Sequence, residues 1–224
     1  MEVKLINYTP EPEKTVAAAA RLCYSSSGIE KLLEGLGQEN TSAFLAKLIS
    51  MGHESPFEHV SFTFGIEGIS RNLSHQLVRH RIASYSQKSQ RYVAENYFSY
   101  IIPPSIEKNP DTFRLYQEKM GELQQVYQVL AKSVPKEDAR YILPGACETK
   151  LLATFNARSL LNFFAHRCCE RAQWEIRALA KEMLKLVKEV APILFSKAGP
   201  TCVTEGVCYE GELSCGRIKK ITSK

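Results

Sequence analysis

This chain predicts an α/β fold of the α+β type, built as one domain, and three observations predict it. Alternating runs at Val3 to Tyr8 and Val60 to Glu67, and a more fully apolar run at Lys150 to Phe155, read as strands set far apart in the sequence. Between and after them lie long stretches with helical spacing, the clearest following Asp111. No Gly-x-Gly-x-x-Gly follows a strand, since Gly35-Leu36-Gly37 lacks a third glycine, and no loop ends in Gly-Lys-Ser/Thr. A dinucleotide, if one binds, therefore binds outside a Rossmann or P-loop frame. With 224 residues, 44% of them hydrophobic, the chain can bury a core without disulfide staples. Residues 1–200 read as the domain that carries the chemistry, and residues 201–224 as a cysteine-containing tail.

In order, Val3 to Tyr8 is the first strand and Thr9-Pro10-Glu11-Pro12 a turn. Glu13 to Cys23 reads as a helix, broken by Ser25-Ser26-Ser27-Gly28, and Ile29 to Leu36 as a short helix closed by Gly35 and Gly37. Thr41 or Ser42 is placed to cap a third helix that runs to about Met51 and stops at Gly52. His53-Glu54-Ser55-Pro56-Phe57-Glu58-His59 invites a metal, but a zinc helix needs its histidines one turn apart. These are six apart, and Pro56 pushes Ser55 out of helical geometry, so a structural or ligand-facing turn is expected.

Val60, Phe62, Phe64 and Ile66 share one face of the second strand, which Gly68 turns. Ser70 caps a helix to about Val78, whose polar stripe Asn72, Gln76 and His80 brings Gln76 beside a cluster of cations. Tyr97 to Pro104 is aromatic and extended. Asn109-Pro110-Asp111 supplies a cap, a proline at the first position and an acid for the dipole. Phe113, Tyr116, Met120, Leu123, Tyr127 and Leu130 then form an apolar seam at spacings of three and four, widened by Val126 and Val129, that suits a core or a subunit contact.

Lys136 to Ile142 is a short helix closed by Leu143-Pro144. Asn156 caps a helix on which Arg158, Asn162 and His166 form one stripe while Leu160, Phe163 and Phe164 form another. That helix is either a ligand wall or an ordinary amphipathic surface helix. The last helix opens at Ala172 to Ile176 and runs to about Val190 with Leu179, Met183, Leu186 and Val190 as its core face; Gly199-Pro200 ends the ordered part.

The chemistry concentrates in Arg79-His80-Arg81-Ile82-Ala83-Ser84-Tyr85-Ser86-Gln87-Lys88-Ser89-Gln90-Arg91-Tyr92, which holds Arg79, Arg81, Lys88 and Arg91 and no acid. Such a segment faces water, carboxylates or a bound anion, because each unpaired buried charge costs several kcal/mol. Arginine forks suit phosphate and carboxylate groups, and serine hydroxyls add short hydrogen bonds to phosphate oxygens. A net charge of +5 favours anionic ligands without demanding nucleic acid. There is no apolar run of about 18 residues and no signal-peptide stretch, and seven cysteines in such a chain read as reduced thiols in the cytoplasm. Cys202, Cys208 and Cys215 have five and six residues between them, with no Cys-x-x-Cys knuckle and no histidine in the tail, so no metal is expected.

Arg79-His80-Arg81, seven residues, Ser89, then Gln90-Arg91-Tyr92 resembles the signature of flavin-dependent thymidylate synthases. The resemblance extends through the 53–59 segment, Gln76 to Arg79, Ala139-Arg140 with Leu143-Pro144, Asn156-Ala157-Arg158-Ser159, Asn162, and His166-Arg167 with Ala172 to Ile176, all in the family's order. It implies a small antiparallel or mixed sheet flanked by long helices, a homotetramer with active sites shared between subunits, and FAD and deoxyuridine monophosphate (dUMP) at each site. By that likeness His53, Ser55, Arg79, His80, Arg81, Gln87, Asn156, Ala157, Arg158 and Asn162 hold FAD. Gln76, Leu77, Val78, Arg79, Gln87, Lys88, Ser89, Gln90, Arg91, Arg140 and Arg167 hold dUMP. NADPH and 5,10-methylenetetrahydrofolate are the implied co-substrates, with neither nucleic acid nor membrane as partner. Arg167 is the expected catalytic residue, since a fixed guanidinium stabilises a uracil anion electrostatically and is never a base at neutral pH. The chain departs from the family at Ser86-Gln87, where an acid usually follows, and at Ser55, where threonine is commoner; both keep hydrogen-bonding capacity.

Two other readings fit the residues alone. A basic loop with nearby tyrosines suits a nucleic-acid-binding protein, and His53, His59 and the tail cysteines suit a zinc-dependent hydrolase.

Overall fold

The structure is a computed structural model that describes residues 1–218 and, of residues 38–40, the backbone alone. Four strands, β1 (Glu2–Tyr8), β2 (Ser61–Ser70), β3 (Ala83–Gln87) and β4 (Glu148–Asn156), form one antiparallel sheet in the order β1-β2-β4-β3. Helices α1 (Pro12–Leu22), α2 (Ile29–Glu34), α3 (Gln38–Ser50) and a 3-10 turn (Ser55–His59) lie between β1 and β2. Between β2 and β4 come α4 (Arg71–Leu77), α5 (Pro104–Glu107), α6 (Pro110–Ser133) and α7 (Lys136–Ala139). After β4 come α8 (Ala157–Arg167), α9 (Trp174–Val190) and the short α10 (Thr201–Thr204). The chain gathers into two compact units, with β2 and β4 running through both: one of residues 1–2, 66–79 and 85–152, the other of residues 3–65, 80–84 and 153 onward.

The predicted mixed α+β fold is therefore what forms, and its caps are the sequence's own. Ser70 Oγ accepts the Leu73 N–H at 2.9 Å. Asn109 Oδ1 accepts the N–H groups of Asp111 and Thr112, and Asn156 Oδ1 accepts the Ser159 N–H at 2.7 Å. Each satisfies donors that the first helical turn leaves open.

In the unit of residues 66–79 and 85–152, the α6 seam closes a small core. Phe98, Met120 and Cys147 are buried, with Tyr100, Tyr116 and Leu123 packed against them. The extended segment before α5 is pinned there, because Gln124 Nε2 donates to the Phe98 carbonyl and the Tyr116 hydroxyl to the Ile101 carbonyl. In the other unit the core is aromatic. Phe62 meets Phe195 edge-on at 5.4 Å, Phe195 meets Phe164, and Phe155 lies 5.7 Å from Phe163. Apolar alternation on β2 and β4 and the inward face of α8 place Phe62, Phe155, Phe163 and Phe164, and the turn after α9 brings Phe195 onto them.

Several expectations change. Gly68 does not end β2; the strand continues to Ser70 with Gly68 at φ +67°, and a Cβ there would stand 3.1 Å from the Met1 nitrogen. Thr41 does not cap α3, because the helix begins at Gln38 and the Thr41 hydroxyl donates back to the Gly37 carbonyl. Val126 and Val129 face outward rather than widening the seam. On α9 the buried stripe is Ile176, Leu179, Ala180, Met183 and Val187, with Leu186 and Val190 only partly covered. The basic stretch contains β3, which polar alternation concealed. Chain order does not end at Gly199-Pro200, since α10 follows with Cys202 buried. Among the described residues, no helix is long and apolar enough to cross a membrane.

Candidate active site

In the first unit, β3 delivers the signature loop, and short polar contacts hold it. Gln87 Nε2 donates to Thr149 Oγ1 at 3.1 Å, and the Lys88 N–H donates to the Lys150 carbonyl. These bonds tie the strand end to β4. Lys88 Nζ donates to Glu95 Oε2 at 2.9 Å and lies 2.7 Å from Oε1, though at an angle that gives Oε1 no directed hydrogen bond. Glu95 is buried, and its own N–H donates to the hydroxyl of the buried Tyr127. Gln90, also buried, points Nε2 at Cys147 Sγ. Arg71 donates to the Lys88 carbonyl, and burial lowers its pKa from the ordinary arginine value.

The outer half of the loop is more open. Ser89 Oγ accepts the Arg91 N–H, and Arg91 is held by Glu137, with Nε at 2.9 Å and a terminal nitrogen at 2.7 Å. Glu137 sits on α7, and its carbonyl accepts from Arg140 Nε. Arg140 makes no ion pair among the described residues. Gln76 and Arg79 are at the end of α4. Gln76 Nε2 donates weakly to the Asn72 carbonyl at 3.5 Å, and Arg79 is exposed with no described acid partner. Val78 is exposed. Leu77 is buried and its carbonyl accepts the Tyr85 hydroxyl, so its side chain offers nothing to a ligand.

In the second unit, Arg167 and His80 form the centre. Arg167 Nε donates to His80 Nε2 at 3.1 Å. The His80 ring meets Phe163 edge-on, with centroids 4.9 Å apart. Burial, and after it the charges of Arg167 and His166, pulls the His80 pKa from 6.5 to about 4. The ring is therefore neutral at pH 7, and because Nε2 accepts, its proton sits on Nδ1. Burial also lowers the Arg167 pKa, but a guanidinium stays charged. Its Nε is spent on His80, no described carboxylate pairs with it, and its two terminal nitrogens remain. A cavity of about 340 Å³ opens here, lined by His80, Asn162, His166, Arg167, Cys169, Arg171, Ala172 and Glu210.

The 3-10 turn stands against α8. Arg158 donates to Glu58 Oε1 at 2.6 Å and lies 3.6 Å from Glu54 Oε2, which leaves His53 and Ser55 exposed beside it. Asn156 is committed through Oδ1 to its cap. Ala157 is fully buried, and its N–H donates to the Val60 carbonyl. Arg81 is exposed and, like Arg79, meets no described acid.

Sequence reasoning missed the acids. Glu54, Glu58, Glu95 and Glu137 hold three basic side chains, Arg158, Lys88 and Arg91, in fixed positions, and nothing in their local spacing marks that role.

A family model described as thymidylate synthase complementing protein matches residues 4–193. A protein of Clostridium tetani named flavin-dependent thymidylate synthase is 54% identical, with 99% of this chain and 96% of that protein covered. Proteins of the same name from Geobacter sulfurreducens and Nitratidesulfovibrio vulgaris are 54% and 47% identical, over 99% and 96% of this chain and 96% and 94% of their own lengths.

Proposed function

Since the chain belongs to the thymidylate synthase complementing protein family, we propose that it is an enzyme that converts dUMP to dTMP by flavin-dependent reductive methylation. The carbon comes as a methylene from 5,10-methylenetetrahydrofolate and joins uracil C5, which gives up a proton. Two electrons from NADPH bring that carbon to the methyl level and leave tetrahydrofolate. FAD, when bound, supplies the hydride. The likeness to the family further supports a homotetramer with shared sites in the cytoplasm.

The donor set suits such a cofactor. Arg79 and Arg81 present guanidinium groups with no described acid partner, and Ser55 presents a hydroxyl, which is the chemistry a pyrophosphate needs. His53, His80, Gln87, Arg158 and Asn162 complete the residues we assign to FAD. For dUMP we assign Gln76 and Arg79 at the end of α4, the loop from Gln87 to Arg91, Arg140, and Arg167. Ser89 and Arg91 take the phosphate.

One observation carries the reading: Arg167, charged, half-buried and held at Nε by a neutral histidine, lines a cavity in which the one acid, Glu210, is paired with Arg171 instead. A uracil oxygen that gains negative charge as C5 becomes nucleophilic is stabilised by donors fixed in advance. None of the seven cysteines is needed as an attacking thiol.

Anaerobic titration of the purified yellow protein with NADPH tests this. Flavin should bleach, and dUMP with 5,10-methylenetetrahydrofolate should then restore the colour and yield dTMP. Protein that takes up no flavin, or that bleaches yet never methylates dUMP, overturns it.

A further inference from the structure

We propose that Cys169, Cys202, Cys208 and Cys215 form a closed four-sulfur zinc site that fastens the tail to the α8–α9 connection. These thiols come from positions far apart in sequence, and two ion pairs bring them together. Glu170, next to Cys169, lies 3.8 Å from Arg217, two residues past Cys215. Arg171 lies 3.9 Å from Glu210, two residues past Cys208. The tail is thus folded over the segment that carries Cys169, and Cys169 and Glu210 line the same cavity. The buried Cys202 thiol lies within electrostatic reach of the other three and of the Arg217 guanidinium. Cys208 Sγ is 3.5 Å from Ser214 Oγ, next to Cys215.

Zinc takes four thiolates tetrahedrally with bonds of about 2.3 Å, which sets the sulfurs roughly 3.7 Å apart. Among the described residues no three His, Cys, Asp or Glu side chains are grouped closely enough to hold a metal ion, so holding zinc requires the loop between Cys202 and Cys215 to draw its thiols in as the ion binds. That loop permits it. Gly216 at φ +75° turns the chain directly after Cys215, and its N–H donates to Ser214 Oγ rather than to a neighbouring element. Each thiol releases its proton to solvent as its sulfur takes the ion, and Arg217 and Arg171 offset the net negative charge of a four-thiolate site. Cys168 is no ligand: it is buried, and it is not among the thiols within electrostatic reach of Cys202. All four coordination positions come from the protein, so the ion is structural. Its thiols take no part in the reaction proposed above, and the site does not depend on that reaction, although Cys169 borders the cavity that Arg167 lines.

Untagged full-length protein, dialysed without chelator, should hold close to one zinc per chain by elemental mass spectrometry. Cobalt substitution should give the thiolate charge-transfer and red-visible bands of a tetrahedral four-sulfur site. Cys208→Ser and Cys215→Ser, both outside the core, should each lower zinc from near one to near none while circular dichroism and flavin content hold. Cys23→Ser and Cys168→Ser should keep the metal. Zinc-free protein without cobalt bands overturns the proposal, as does a metal-free chain lighter by two hydrogens, which would mean a disulfide. Full zinc in the Cys208→Ser, Cys215→Ser double variant overturns the ligand set.

Discussion

Acidification should loosen the Arg167–His80 pair, and the size of the effect follows from the burial of the ring. His80 has a pKa of about 4 in the folded chain against 6.5 when free in solution. Above pH 6.5 the ring is neutral in both states. As pH falls below 6.5 the unfolded chain takes up a proton that the native chain refuses, so stability declines until about pH 4, where both forms carry it. At about 1.4 kcal/mol per pKa unit the whole interval is worth roughly 3.4 kcal/mol, and the half-exposed position of the ring reduces this to about 1–2 kcal/mol. His80→Gln keeps an acceptor for Arg167 Nε and cannot be protonated. Urea unfolding measured between pH 7 and pH 4 should show wild type losing about 1–2 kcal/mol more than His80→Gln. Equal losses in the two proteins, or an NMR titration that places the ring near 6.5, would refute the account.

Arg167→Ala should lower kcat on the order of a hundredfold or more while fold and flavin content persist, and Arg167→Lys should not restore it, because an ammonium cannot bond His80 and reach into the cavity as a fork; stopped-flow methylation assays decide this. Arg91→Ala should weaken dUMP binding roughly tenfold or more with little change in FAD binding, measured by calorimetry and flavin fluorescence. Equal loss of both would place Arg91 elsewhere. Glu95→Ala leaves Lys88 without its acid in a largely enclosed site and should cost about 3 kcal/mol in chemical denaturation, more than Glu95→Gln; an unchanged midpoint would mean that the pair does not order the loop.

Most of the secondary structure was legible because its causes are local. Asn109, Asn156 and Ser70 cap helices through their own side chains, and the α6 seam declares itself by spacing alone. The signature from Arg79 to Tyr92 carried the functional assignment through the order of its residues, which resembles a family's motif; a run of cations without acids by itself says only that it faces water, carboxylates or an anion. The strand inside that run, β3, stayed hidden because its residues alternate polar with polar. The sequence by itself thus determined which elements form, where the cations sit and which family the chain resembles. Only the tertiary structure decided that Glu95 and Glu137 hold Lys88 and Arg91, that burial and then the charge of Arg167 hold the His80 pKa down, and that Cys169 joins a tail beginning more than thirty residues later. Charge pairing and desolvation depend on distance in space, and chain spacing carries no record of that distance once strands and helices have brought remote residues together.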